Sequence, residues 1–88
     1  MYEVLLSDDA LRTYHRAQPP LARKLNRCFE NLSLNPRSHP NIKPLSGQYA
    51  GCWRYRAGDW RIVYGVDDGR RQVLILSIMH RREVYRWR

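Results

Sequence analysis

Two runs of alternating apolar residues flank the dipeptide Gly58-Asp59, and this symmetry restricts the chain more than any other feature. If Gly58-Asp59 is a two-residue turn, Tyr55 faces Ile62 and Arg56 faces Arg61. Trp53, Tyr55, Ile62 and Tyr64 then share one side of a hairpin, and Cys52, Arg54, Arg56 and Arg61 share the other. Glycine at the first central position suits the type II′ turn that closes such hairpins. A three-residue turn would pair Arg56 with Trp60 and mix the two faces. A slip of one residue carries every side chain across a sheet, so the pattern selects the two-residue turn. A sheet that buries one face and lines the other with arginine is a surface for phosphate groups.

The strands expected are Tyr2 to Leu6, Tyr49 to Arg56, Trp60 to Val66 and Gln72 to Met79. After the third strand the chain turns near Asp67-Asp68-Gly69-Arg70. Matching the faces asks Tyr64 to oppose Leu74 and Ile62 to oppose Leu76, through a three-residue loop bent at Gly69 or Arg70. That arrangement predicts a helix-covered face of Leu74, Leu76 and Ile78. It leaves Val73, Ile75, Ser77, Met79 and, past the strand end, Arg81 on the other side.

Ser7 offers an N-cap hydroxyl, and Asp8 and Asp9 follow where the positive end of a helix dipole favours them. Ala10, Leu11 and Tyr14 fall on one helical face. Pro19 ends this helix near Gln18, and Pro20 suits the first turn of the next. Leu21, Leu25, Cys28, Phe29 and Leu32 form the apolar stripe of that second helix, which ends before Asn35-Pro36. Arg23, Lys24 and Arg27 lie away from the stripe, on a solvated outer face. The helical hairpin needs a partner for its apolar side, and the sheet is the candidate. Residues 36–48 read as a loop with Pro36, Pro40, Pro44 and Gly47, in which Ile42-Lys43-Pro44-Leu45 is an extended piece at the fold edge. The class is therefore α+β: an N-terminal strand and a helical hairpin on a mostly antiparallel, twisted sheet of about four strands. Eighty-eight residues are expected to form one domain, 1–88.

The net charge of +8 and the pI of about 10.2 favour a polyanionic partner, RNA, DNA, a ribosome or an acidic protein, with nucleic acid or a ribosome foremost. Nine of the sixteen Lys and Arg residues lie from Trp53 onward. The N-terminus lacks the pattern of a signal peptide, and no apolar run approaches the ~20 residues of a membrane helix, so the expected compartment is the cytoplasm and no membrane contact is expected. Cys28 and Cys52 form neither a CxxC pair nor a cluster with histidines, so they are read as reduced thiols, and neither a metal nor a cofactor is expected.

An RNA phosphodiester on the arginine face can be cleaved by attack of the ribose 2′-hydroxyl. This needs a base for the 2′ proton, cations for the phosphorane oxygens, and an acid for the departing 5′ oxygen. The planar forks of Arg54, Arg61 and Arg81 suit the phosphate. Arginine stays charged and so carries protons poorly. The titratable candidates near this end of the sheet are His80, Glu83 and Tyr85. Histidine is the residue type suited to moving protons near neutrality, but His80 falls, by strand parity, on the helix-covered side. Tyr85 is a candidate to stack on a base or orient the phosphate.

The pieces Lys43-Pro44-Leu45-Ser46-Gly47, RAGDWRIVY from Arg56 to Tyr64, and His80-Arg81-Arg82-Glu83-Val84-Tyr85 resemble the RelE/ParE superfamily of bacterial toxins. The resemblance covers Lys43 to Arg86, and the order of elements agrees over the whole chain. It implies a microbial-ribonuclease-like fold and a ribosome-dependent mRNA interferase that inhibits translation. It also implies a cognate RelB-like antitoxin that neutralises the toxin. The positions matching the family's phosphate site are Arg54, Arg61, Arg81 and Tyr85, with His80 as a proton carrier and Lys43, Arg56, Arg82 and Arg86 as further RNA contacts. RelE-like sites carry lysines on the second strand, where this chain has Cys52 and Arg54, so the general base is not assigned by the resemblance. The ParE branch, which shares the fold and poisons DNA gyrase without cutting RNA, is the rival class.

Overall fold

A computed structural model describes residues 1–84 of the chain. The elements are β1 (Glu3–Leu6), α1 (Asp8–Arg16), α2 (Pro19–Leu34), β2 (Ile42–Pro44), β3 (Trp53–Ala57), β4 (Trp60–Asp67), β5 (Gln72–His80) and α3 (Arg81–Val84), with a 3₁₀ turn at Gly47–Tyr49 between β2 and β3. The five strands form one sheet in the order β1-β5-β4-β3-β2. All neighbours are antiparallel except β1, which runs parallel to β5. The fifth strand is the short piece Ile42–Pro44, which pairs with β3 instead of remaining an unpaired loop. The second expected strand is shorter than its sequence implied, since Gly47–Tyr49 coils and pairing starts only at Trp53.

Ser7 caps α1 by accepting from the Ala10 N–H at 3.1 Å. Of the three residues placed on the inner face of α1, Ala10 is buried and Tyr14 half-buried, but Leu11 is 40% exposed and stands outside the core. Helix α2 starts with proline in its first turn and buries Leu25, Cys28 and Leu32 completely against the sheet. Tyr14 joins the two helices, its hydroxyl donating to Asn26 Oδ1 at 2.7 Å. The Asn31 amide donates to the Tyr55 hydroxyl at 2.9 Å and joins α2 to β3. The covered face of the sheet supplies Tyr55, Ile62, Tyr64, Val73, Ile75 and Ile78 to the core.

The β3–β4 hairpin has the register expected: Tyr55 opposes Ile62 and Arg56 opposes Arg61. Gly58 has a φ of 62°, the left-handed conformation that the first central position of a type II′ turn requires. The β4–β5 register differs from expectation. Ile62 opposes Ile78 and Tyr64 opposes Ile75, because β5 carries one extra residue, Leu76, at a β-bulge. The bulge reverses side-chain parity along β5, so Val73 and Ile75 face the helices before it and Ile78 after it. Leu74, expected in the core, is 43% exposed. Ser7 stabilises this irregularity: its hydroxyl donates to the Leu76 carbonyl at 2.9 Å, and its N–H donates to the Ile75 carbonyl at 2.9 Å. The loop between Asp67 and Gln72 is one residue longer than expected, and its positive φ falls at Arg71.

Among the described residues no helix is long and apolar enough to cross a membrane. Cys28 and Cys52 are both free, the first buried and the second half-buried.

Candidate functional site

The face of the sheet turned away from α1 and α2 is organised in rows across the strands, and Val63 and Met79 within these rows are themselves buried. One row holds Arg56 on β3, Arg61 on β4 and Met79 on β5. The next holds Lys43 on β2, Arg54 on β3, Val63 on β4 and Ser77 on β5. The hairpin register alone places Arg54, Arg56 and Arg61 together, because each alternates with a core residue on its own strand. Pairing of β2 adds Lys43 to the same row as Arg54.

Among the described residues no carboxylate lies within ion-pair distance of Arg54, Arg56 or Arg61. The Arg54 guanidinium donates from Nη1 to the Asn41 carbonyl at 3.3 Å. Arg61 Nη1 donates to the carbonyls of Gly58 at 2.9 Å and Trp60 at 3.1 Å. Backbone carbonyls therefore hold both heads without neutralising them. Burial first, and then the charges of Arg61 and Arg56, push the Arg54 guanidinium below its ordinary pKa. Arginine starts so high that it stays charged near neutrality. The arrangement is thus a cluster of uncompensated cations on a rigid sheet, a geometry that binds an oxyanion by charge-assisted hydrogen bonds.

Arg81 begins α3 at the same end of the sheet. Its N–H donates to the Asp59 carbonyl at 2.7 Å, and its Nη1 lies 3.9 Å from Asp59 Oδ1. This long ion pair fixes Arg81 beside the β3–β4 turn while most of its side chain remains exposed. Arg82 is also exposed. Tyr85 and Arg86, assigned from the sequence, lie outside the described residues, as does Trp87.

His80 is not brought to the cations. It opposes Trp60, and the two rings meet edge to face with centroids 5.3 Å apart. Trp60 itself packs against the core, so His80 stands on the helix side, as its parity indicated. Its Nδ1 accepts from the Arg82 N–H at 3.3 Å, and its own N–H donates to Glu83 Oε1 at 3.3 Å. These contacts make His80 part of the junction between β5 and α3. Cys52, half-buried, bonds through its backbone to Tyr49 and Leu45 and so holds the turn that leads into β3.

Lys43 is legible in the sequence only as a further RNA contact. Its position directly across from Arg54 follows from the β2 pairing, and a three-residue strand containing proline gives no periodic signal from which to read it. A second surface network is also absent from that reading. Asp68 accepts two bonds from Arg37, at 2.7 and 3.0 Å, and one from the Tyr2 hydroxyl at 2.8 Å. Arg71 lies over the Tyr2 ring at 4.4 Å. This network joins the β4–β5 loop to the N-terminus and to the segment after α2, away from the arginine rows.

The chain matches the profile of the ParE toxin of type II toxin-antitoxin systems, parDE, over residues 4–85. It is 35% identical over 86 residues to toxin RelG of Mycobacterium tuberculosis, with 97% of each chain covered. Toxin RelE of the same organism is also 35% identical over 86 residues, which span 97% of this chain and 87% of the relative. Among solved structures, the toxin-antitoxin complex RelBE2 from M. tuberculosis contains a chain that superposes with a TM-score of 0.77 at 30% identity, covering 90% of this chain and 96% of that one. With the profile matched over nearly its whole length and two full-length relatives above 30% identity, the chain belongs to the RelE/ParE family of toxins of type II toxin-antitoxin systems.

Proposed function

We propose that the protein is a RelE-like endoribonuclease that cuts message on the ribosome and so inhibits translation, and that an acidic, RelB-like antitoxin neutralises it. The observation that carries this reading is the guanidinium cluster of Arg54, Arg56 and Arg61, uncompensated among the described residues, on the face of the sheet turned away from the helices. The RelE and RelG names of the full-length relatives support it over a gyrase poison. In this mechanism the 2′-hydroxyl attacks the adjacent phosphorus. Arg54 and Arg61 stabilise the charge that grows on the non-bridging oxygens, and their donors need no reorganisation because carbonyls already orient them. Lys43 and Arg56 extend the cationic field along the RNA backbone, and Arg81 closes the end near the turn. The sequence resemblance gives Tyr85 the orienting or stacking role. His80, on the other side of the sheet, positions α3 and therefore the segment that follows it. An antitoxin with acidic residues covers the cationic rows and excludes RNA by charge.

Primer extension on ribosome-bound message tests the reading. Arg54→Ala and Arg61→Ala are each expected to slow cleavage roughly 10²–10³-fold, the usual cost of removing one oxyanion donor. Each should leave the thermal midpoint nearly unchanged, since neither head is part of the core. Cleavage at the wild-type rate by the double variant eliminates the cluster as the site. Inhibition of gyrase supercoiling with no cuts in the message assigns the protein to the ParE branch instead.

A further inference from the structure

The first N–H groups of a helix have no partner within it and must find one elsewhere. In α3 the Arg81 N–H donates to the Asp59 carbonyl at 2.7 Å. The Arg82 N–H donates to His80 Nδ1 at 3.3 Å, and the His80 N–H donates to Glu83 Oε1 at 3.3 Å. His80 stands just before the helix, and Glu83 is its third residue. The last two bonds are therefore reciprocal, one running from the helix to the preceding side chain and one from the preceding backbone to a helix side chain. That is the pattern of a capping box, which ordinarily sets serine or threonine against glutamate or glutamine. Histidine in the capping place is the departure, and imidazole differs from a hydroxyl in one respect.

Imidazole accepts at Nδ1 only while it is neutral with its proton on Nε2; once protonated, both nitrogens donate. Trp60 holds the ring from the neighbouring strand, edge to face. Protonation therefore leaves the ring in place and sets one N–H against another at Arg82. The charges around the ring act in both directions. Glu83 on α3 and Asp59 at the β3–β4 turn favour the imidazolium. Arg81 and Arg82 on α3 oppose it, as do Arg16 and Lys24, which line a hollow with Trp60 and Glu83. A helix of four residues has no stability of its own, so its population follows its caps. Arg81 is the first residue of that helix, and Tyr85 is next in sequence after it.

We propose that His80 and Glu83 are positioning residues for RNA cleavage: their reciprocal cap sets α3, and with it Arg81 and the entry to Tyr85, only while His80 is neutral. The proposal rests on the RNA-cleaving reading above and gives His80 a part that needs no proton transfer to RNA. A proton carrier must reach the reacting oxygens. Nδ1 is already bonded to the Arg82 N–H, and the ring lies on the Trp60 side of the sheet, across from Arg54, Arg56 and Arg61.

The test is primer extension on ribosome-bound message with the whole protein. His80→Ala removes the acceptor and should slow cleavage roughly two- to thirtyfold, the change in helix population that one N-cap controls. His80→Asn restores an acceptor near the place of Nδ1 without a titrating group, and should recover most of that loss. Glu83→Gln still accepts from the residue-80 N–H and should recover most of the loss caused by Glu83→Ala. The rate of His80→Asn relative to wild type should rise as the pH falls from about 8 to about 5, the interval in which histidine changes charge. Taking the ratio cancels the pH response of the ribosome and of the other groups. The Arg82 amide proton resonance should move over the same interval in the wild type and stay fixed in His80→Asn. A loss of roughly 10²–10⁴-fold in His80→Asn overturns the proposal and makes the imidazole a proton carrier. A ratio that does not change with pH overturns it too, as does cleavage by His80→Ala at the wild-type rate. A wild type that makes no cuts, with its Arg82 resonance still following pH, overturns the nuclease reading and upholds the cap.

Discussion

Ser7 performs two tasks with one hydroxyl, and they can be separated. As an acceptor it caps α1 through the Ala10 N–H, and as a donor it bonds the Leu76 carbonyl at the bulge. Ser7→Ala removes both. An N-cap of this kind contributes about 1 kcal/mol and a partly buried hydrogen bond about 1 kcal/mol more, so the loss should be about 2 kcal/mol. For a chain of this length that lowers the thermal midpoint by roughly 8–16 °C. Ser7→Asp isolates the donor. Aspartate caps as well as serine and suits the helix dipole, but at neutral pH its carboxylate only accepts. It should lose about 1–3 kcal/mol, the cost of a carbonyl left without a partner beside a negative charge. Urea denaturation with an unchanged slope measures both losses. Amide exchange at Ser77 and Ile78 then reports whether the bulge itself loosens. If Ser7→Asp matches the wild type, the donation to Leu76 contributes nothing and the explanation of the β5 register is wrong.

Tyr64 is fully buried and its hydroxyl donates to the Pro36 carbonyl at 2.6 Å, so Tyr64→Phe should cost about 1–3 kcal/mol by urea denaturation. It should also raise amide exchange in the segment leading to β2, which that bond anchors. The Arg37 bonds, and then the Tyr2 hydroxyl, hold the Asp68 carboxyl below its ordinary value of 3.8. The unfolded chain therefore takes up this proton first: the stabilisation is complete well above 3.8 and is lost as the pH falls past it. Asp68→Asn should lower the neutral plateau and flatten the acid limb of the stability profile, since the variant has no carboxylate there to protonate. Burial pushes the Cys28 thiol up, so it should resist a thiol reagent until the protein unfolds, while half-buried Cys52 reacts in the native state. Modification of both at one rate would contradict the packing of α2.

The β3–β4 hairpin was legible because apolar and basic residues alternate on both sides of Gly58-Asp59, so only one register keeps the faces distinct. The β4–β5 register was not, for a physical reason. The run Val73-Leu74-Ile75-Leu76 is apolar at every position, and either parity gives an acceptable core. What decides is the extra residue at Leu76, stabilised by Ser7, sixty-nine positions earlier in the chain. No local pattern carries that information. The arginine face was legible through Arg54, Arg56 and Arg61, since their hairpin was. Lys43 was harder to place, because β2 is held by pairing rather than by any periodicity of its own. His80 shows the opposite case: parity put it on the helix side, while imidazole chemistry and family resemblance argued for bringing it to the phosphate. The core stripe of α2 was readable from spacing alone, whereas the same spacing on α1 put Leu11 inside, where it stands 40% exposed.

The parallel pairing of β1 with β5 makes the fold topologically late. Strand β1 has its partner at Gln72–Ile75, so Val4 and Leu6 stay unmatched until the whole stretch from α1 to β4 has been synthesised. Closing so long a loop costs entropy before any contact repays it. The helical hairpin likewise has no complete layer to rest on until β5 arrives, which makes an interrupted nascent chain a candidate for aggregation or proteolysis rather than for a partly working product.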